Sequence, residues 1–174
     1  SALGLENVRP LILGLLAYEA KPLGRSRTEE TLEADPTTLR DLWEHALASA
    51  MIAAKLATKL ANVPPLQAFI AGLIHDIGRV LLWRYSKVEF AAAVALSRHQ
   101  QLPIGIAEAS VIGIDHAAMG EAWCGRCEIA APLAELVRRH HESAALLQPA
   151  IASGAPRLIA IIQAAESLSE HTPL

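Results

Sequence analysis

Aromatic side chains are almost missing from this sequence, at 4%. β-Branched runs are scarce too, so there is little from which to build a sheet. Ala and Leu dominate instead, and both favour helix. There are two cysteines, Cys124 and Cys127, too few for a disulfide framework, and a reducing cytoplasm is the expected compartment. Basic clustering is also lacking. The net charge is -3, the pI is about 6.1, and no stripe of Lys and Arg could track a phosphate backbone. That argues against a nucleic-acid partner. No uninterrupted apolar run approaches the ~20 residues of a membrane span, and no charged segment leads into a secretory cleavage site. A membrane is therefore not an expected partner either.

What remains is apolar and helical. The 174 residues are 52% hydrophobic, which suits one domain burying roughly 70% of its unfolded surface. Leu5, Val8, Leu11, Ile12 and Leu15 recur at helical spacing over 3–19. Such an apolar helix needs covering, and its position almost at the first residue suggests a fragment of a longer protein, or a missing partner element. A charged stretch with Pro22 and Gly24 follows as a loop. Asp35-Pro36 signals a helix start, and this helix should run to about Ala61, ending before Val63-Pro64-Pro65. Leu66 to about Arg84 is apolar nearly all round and reads as the central helix.

Ser86-Lys-Val-Glu89 has the form of a capping box for a helix to about Gln101. Pro103 opens a short helix to about Val111, and Asp115 can cap one beginning at His116. Further helices are expected over 129–141 and 156–170, with a looser linker over 142–155. The expectation is an all-α bundle of about seven to eight helices around 66–84.

Five of the seven histidines lie at helical positions in otherwise apolar segments: His45, His75, His116, His140 and His141. Asp76 follows His75 on the most apolar helix, and a buried carboxylate is costly unless paired or bound to a cation. Imidazole nitrogens with carboxylate oxygens suit Fe, Mn, Zn or Ni. Adjacent residues project about 100° apart around a helix, so both can reach one ion at its edge. A hydrogen-bonded core pair or a helix cap would account for His75-Asp76 without metal; the five histidines together tilt the reading toward a shared site.

These segments resemble a known family. Ala68-Phe-Ile-Ala-Gly-Leu-Ile-His-Asp-Ile-Gly78 is similar to the central motif of HD-superfamily domains. Trp43-Glu-His45 resembles the first ligand helix, Ile114-Asp-His116-Ala-Ala-Met-Gly120 the third motif, and Arg139-His140-His141-Glu142 the double-histidine motif. Ile161-Ile-Gln-Ala-Ala-Glu166 falls where the family places its last aspartate. Leu3-Gly-Leu-Glu-Asn-Val-Arg9 resembles the junction before the HD core in the HDOD branch, which normally has a helical lobe ahead of it. The resemblance implies a single HDOD-type domain over 1–174, core 36–170, lacking that lobe.

It implies one ion held by His45, His75 and Asp76 with Glu166 in the closing slot, and a second held by His116, His140 and His141 with Asp76 bridging. In a hydrolase of this family, such ions would activate a water against a phosphate, with Asp76 and Arg79 as the catalytic candidates. HDOD domains are regarded instead as output modules of bacterial signalling, acting through contacts with other domains or proteins, which makes signalling partners the implied ones.

Three departures bear on the choice. Glu166 replaces the usual aspartate. The Asp-Gly-x-Gly-Tyr-Pro stretch of the cyclic-dinucleotide phosphodiesterases is missing after His141. Arg79 stands where hydrolytic relatives often carry lysine, and it could bind phosphate through its planar fork or be a surface charge. The leading expectation is an output module with no catalysis; the alternative is a metal-dependent phosphohydrolase of a nucleotide or other phosphate ester.

Remaining features read more blandly. Cys124-Gly-Arg-Cys127 is half a zinc site or a redox pair by pattern, and buried structural cysteine by default. Arg138-Arg139 reads as a solvated face ahead of an anion site. Glu108 could support a histidine ligand from behind, with a surface carboxylate as the default. His99 and His171 are assigned no role.

Overall fold

Small residues decide how closely these helices approach. The computed structural model describes residues 39–59, 63–142 and 155–169. In α1 (Leu39–Lys59) the buried stripe is Leu42, Ala46, Ser49, Ala50, Ala53 and Ala57, spaced by three or four residues on one face. Mostly alanine, it lets another backbone lie directly against it. That backbone is α2 (Pro65–Ile74), with Pro65 in the first turn, where no hydrogen bond is lost. A Cβ at Gly72 would stand 2.6 Å from the Ala50 Cα.

α3 (Ile77–Tyr85) follows after a break of only two residues, His75 and Asp76. Then come α4 (Lys87–Gln100), α5 (Ile104–Ile112), α6 (His116–Arg126), α7 (Ala131–Arg139) and α8 (Ala155–Ser169). The bundle is all-α, with no strand among the described residues. The described residues form eight helical segments, or seven if Pro65–Tyr85 is taken as one.

The pair α2–α3 is the axis. α2 packs against α1, α7 and α8, and α3 against α4 and α6. Ile70, Ile74, Leu133, Leu136, Leu158 and Ile162 belong to the larger core cluster. Leu82, Phe90 and Val94 form a smaller one beneath α3 and α4. By length and composition Pro65–Tyr85 could cross a membrane, but 56% of its most apolar window is buried inside the bundle, as befits a core helix.

Several boundaries differ from expectation for local reasons. The central helix is not continuous: Asp76 adopts φ -101° and ψ 17°, outside helical values, and the ladder breaks there. Ser86 makes no side-chain cap. It also ends α3, donating its N–H to the Leu82 carbonyl at 2.9 Å, and its φ of -140° with ψ of 50° is not the extended backbone that aims an N-cap hydroxyl.

The helix expected from Ile129 begins at Ala131. A Schellman closure of α6 intervenes: Ile129 N–H reaches the Cys124 carbonyl at 3.0 Å and Glu128 N–H that of Gly125 at 3.4 Å, with Glu128 left-handed at φ 52°. Ile129 is thereby turned into the core. Asp115 caps α6 as expected, accepting from Ala118 N–H at 2.7 Å. The apolar segment 3–19, the Asp35-Pro36 start, the end near Ala61, most of the 142–155 linker and His171 lie outside the described residues.

Close packing of α3 on α6 depends on Gly78. A Cβ there would lie 1.8 Å from the His116 carbonyl oxygen and 2.9 Å from the Gly120 nitrogen, both backbone and unable to step aside. Gly78→Ala is expected to cost about 3 kcal/mol, the upper end of overpacking penalties. Gly125→Ala, on α6 with nothing within 4 Å of the new Cβ, is expected to gain about 0.5 kcal/mol from helix propensity. Urea denaturation midpoints of the two variants check the contrast.

Candidate metal centre

Five parts of the chain carry charged or ring donors to one point. α1 supplies His45 and the break between α2 and α3 supplies His75 and Asp76. His116 is the first residue of α6, and His140 and His141 follow the last turn of α7. α8 supplies Glu166. His75, Asp76, His116 and His140 are buried, His45 and Glu166 half-buried, and His141 sits at the exposed rim.

Asp76 lies at the centre. Its Oδ2 faces His45 Nε2 at 3.6 Å and His75 Nε2 at 3.7 Å. Its Oδ1 faces His116 Nε2 at 3.5 Å and His140 Nε2 at 3.4 Å. His75 Nε2 also stands 3.4 Å from Glu166 Oε1, and the Nε2 atoms of His116 and His141 are 2.9 Å apart.

The rings are held from behind. His75 Nδ1 lies 2.7 Å from the Gly72 carbonyl and His140 Nδ1 2.9 Å from that of Val137, each one turn back. His116 Nδ1 lies 2.5 Å from Glu108 Oε2. A carbonyl or carboxylate only accepts, so each Nδ1 carries the proton and each neutral ring turns an Nε2 lone pair toward Asp76. His75 Nε2, His140 Nε2 and Asp76 Oδ1 are buried without a hydrogen-bond partner. Leaving a buried polar atom unsatisfied costs about 1–3 kcal/mol, so three converging in one place exceed what a satisfied apolar core would keep.

A cation would resolve this. The donors fall into two groups, Asp76 with His116, His140 and His141, and His45 with His75 and Glu166; within each, the ligand atoms lie within 4.8 Å of one another. Two donors each about 2.1 Å from an ion at a tetrahedral angle stand about 3.4 Å apart, which matches the spacing of His75 to Glu166 and of His140 to Asp76. Each group could hold a divalent ion.

Without metal, protons serve that end. Burial opposes charge on His75, but Asp76 and then Glu166 raise its pKa above the usual range. His116 is raised against burial by Glu108 and Asp76. His45 is lowered, mainly by burial. His141 is pushed down to about 4 by burial and by His140 and His116 beside it. Burial would lift Asp76, yet His75 and Arg79 hold it well below the carboxylate range. Glu166 is likewise held down by His75 against burial.

Every histidine and carboxylate singled out as a ligand from the sequence converges here: His45, His75, Asp76, His116, His140, His141 and Glu166. Two other residues depart from surface readings, one of two alternatives for Arg79 and the default for Glu108. Arg79 is no free surface charge: its Nη1 donates to Asp76 Oδ2 at 2.9 Å, so that oxygen is shared and Oδ1 is the open one. Glu108 is no surface carboxylate: it is fully buried behind His116.

Gln163 escaped notice. One turn before Glu166 on α8, its Nε2 donates to the carbonyls of His140 at 2.8 Å and Glu142 at 2.7 Å. The only hint in the sequence was its i, i+3 spacing from Glu166. Arg138 pairs with Glu121, and Arg139 with Glu135 and Glu142, as on a solvated face.

Two hollows open onto the cluster. A cleft of about 490 Å³ is bordered by Pro103, Ile104, Ile106, His116, Arg138 and His141. A smaller one of about 250 Å³ lies between His140, His141, Gln163 and Glu166.

An all-helical bundle with two donor groups joined through one buried aspartate is the architecture of an HD-type domain. The HDOD domain family model matches residues 1–143, and the chain belongs to that family. Glu166 lies beyond the matched segment. Two solved structures are similar. One, an HDOD domain protein with unknown function from Geobacter sulfurreducens, is 25% identical with a TM-score of 0.66, over 80% of this chain and 48% of its own. The other, named "Putative phosphohydrolase", from Shewanella amazonensis SB2B, is 19% identical with a TM-score of 0.65, over 99% of this chain and 58% of its own, and shares the fold. The chain thus spans about half the length of the solved structures it matches. No curated protein sequence matches it.

Cys124 is fully buried in the core, and burial, with Cys127 and Glu121 adding to it, pushes its thiol up to about 12. Cys127 is partly exposed. In the native protein at pH 8, Ellman's reagent is expected to titrate one thiol promptly and the second only on unfolding. Two equally fast thiols would point to a redox pair instead.

Proposed function

We propose that this chain is a metal-binding output domain of a bacterial signalling protein, acting in the cytoplasm through contacts with companion domains or proteins. Its HD cluster holds one or two divalent ions of Fe, Mn, Zn or Ni, with His45, His75 and Glu166 as ligands on one side of Asp76 and His116, His140 and His141 on the other. The observation that carries the metal reading is the set of buried, partnerless atoms, His75 Nε2, His140 Nε2 and Asp76 Oδ1, converging on one space. Membership of the HDOD family supports the output role. Nothing in the charge pattern favours nucleic acid, and Pro65–Tyr85, long and apolar enough to cross a membrane, is mostly buried inside the bundle.

A second reading, metal-dependent phosphoester hydrolysis, is favoured by the two hollows that reach the donor groups. The Shewanella neighbour's name points the same way. Bound divalent ions would supply Lewis acidity to a phosphoryl oxygen and lower the pKa of a water. This chain's residues would do the rest. Asp76 would tie the two ion positions together. His141, on both hollows, would stand where substrate enters. Arg79, engaged with Asp76 Oδ2, holds that carboxylate in place, so a phosphate would have to share it.

Protein purified without chelator is expected to carry Fe, Mn, Zn or Ni in roughly stoichiometric amount by elemental analysis, and His75→Ala or Asp76→Ala to lose it. A metal-free wild type, with His75→Ala folding and signalling normally, would sink the metal reading. A screen of phosphomonoesters, phosphodiesters and nucleotides separates the two functions. Metal-dependent turnover favours the hydrolase; no turnover, with a specific partner recovered by pull-down, favours the output domain.

A further inference from the structure

α5 supplies no ligand candidate, yet it sends one charged side chain into the interior. Glu108 is fully buried, and a carboxylate there is retained only against a strong local requirement. Both of its hydrogen bonds end on one residue. Oε2 accepts the backbone N–H of His116 at 2.8 Å and its ring Nδ1–H at 2.5 Å. Oε1 is buried with no partner. Capping alone does not explain this. Asp115 already caps α6 through the Ala118 N–H, and a cap has no use for a ring nitrogen.

The other two pinned rings make the contrast. His75 and His140 rest their Nδ1 on neutral backbone carbonyls, whereas His116 rests on a carboxylate. A carboxylate behind an imidazole fixes its tautomer and orientation and makes the opposite nitrogen a stronger donor.

We propose that Glu108 is a positioning residue: it fixes the His116 ring with Nδ1 protonated and the Nε2 lone pair turned toward Asp76 Oδ1, and so sets the divalent-ion affinity of the group formed by Asp76, His116, His140 and His141. The affinity part rests on the metal-binding reading above. The tautomer part stands on the metal-free protein.

E108Q keeps the shape and removes the charge. In calorimetric titration of the full chain with manganese, one binding event is expected to weaken about 10–100-fold in E108Q while the other stays unchanged; E166Q should weaken the other event instead. By nitrogen-15 NMR of the metal-free protein, at a pH high enough for the His116 ring to be neutral, His116 is expected to be a single Nδ1–H tautomer in wild type and a mixture in E108Q, a change that a merely structural role would not produce. If E108Q does not fold, E108D, with the charge withdrawn by one methylene, is read in the same two ways. A folded variant with unchanged manganese affinity overturns the proposal, as does a wild-type His116 protonated at Nε2. A wild-type chain that takes up neither manganese nor zinc, iron or nickel overturns the metal reading instead, and the His116 tautomer then decides the positioning role by itself.

Discussion

A buried carboxylate at the centre of an apolar bundle constrains everything else in this structure. Asp76 is 6% exposed, and an uncompensated charge there would be prohibitive. Compensation comes from the adjacent His75, from α1, from α3, from α6 and from the end of α7, through His75, His45, Arg79, His116 and His140. Separating a buried charge from its partner typically costs about 3–5 kcal/mol, a large part of the net stability of an ordinary domain. The helices must therefore meet where Asp76 is, and the helix that bears it must break there. Ramachandran values of -101° and 17° at Asp76 interrupt an otherwise uniform apolar rod.

Meeting at one point requires short interhelical distances, which the scarcity of bulky aromatics permits. Alanine lines α1, Gly72 lets α2 lie on it, and Gly78 lets α3 touch the first turn of α6. Each contact adjoins a donor: Gly72 receives the His75 ring, and Gly78 abuts the carbonyl of His116 itself. The packing that builds the core and the packing that assembles the donors are the same contacts.

Much of this was legible beforehand, for a physical reason. The fold class follows from composition and helical periodicity, which are local. His45, His75, His116, His140 and His141 stood out because a polar ring inside an apolar helical segment violates the local pattern. The resemblance of the surrounding motifs then supplied their grouping. Glu166 came from its place in the family order. Long-range partners were another matter. Nothing adjacent to Glu108 marks it as buried; its environment is made by His116, eight residues on, once α5 folds back against α4. Arg79 carried only its i, i+3 spacing as a sign that Asp76 would engage it. The break at His75-Asp76 was hidden because those residues lie in a segment whose hydrophobicity alone reads as continuous helix.

Gln163 gives the bundle one further property. Its amide grips two carbonyls at the end of α7, while one turn later the same helix presents Glu166 to His75. α8 is thereby geared to both halves of the cluster. A slide or roll of this single rod would shift the His140–His141 corner and the Glu166 carboxylate in concert, so the geometry of the interior follows the placement of one helix.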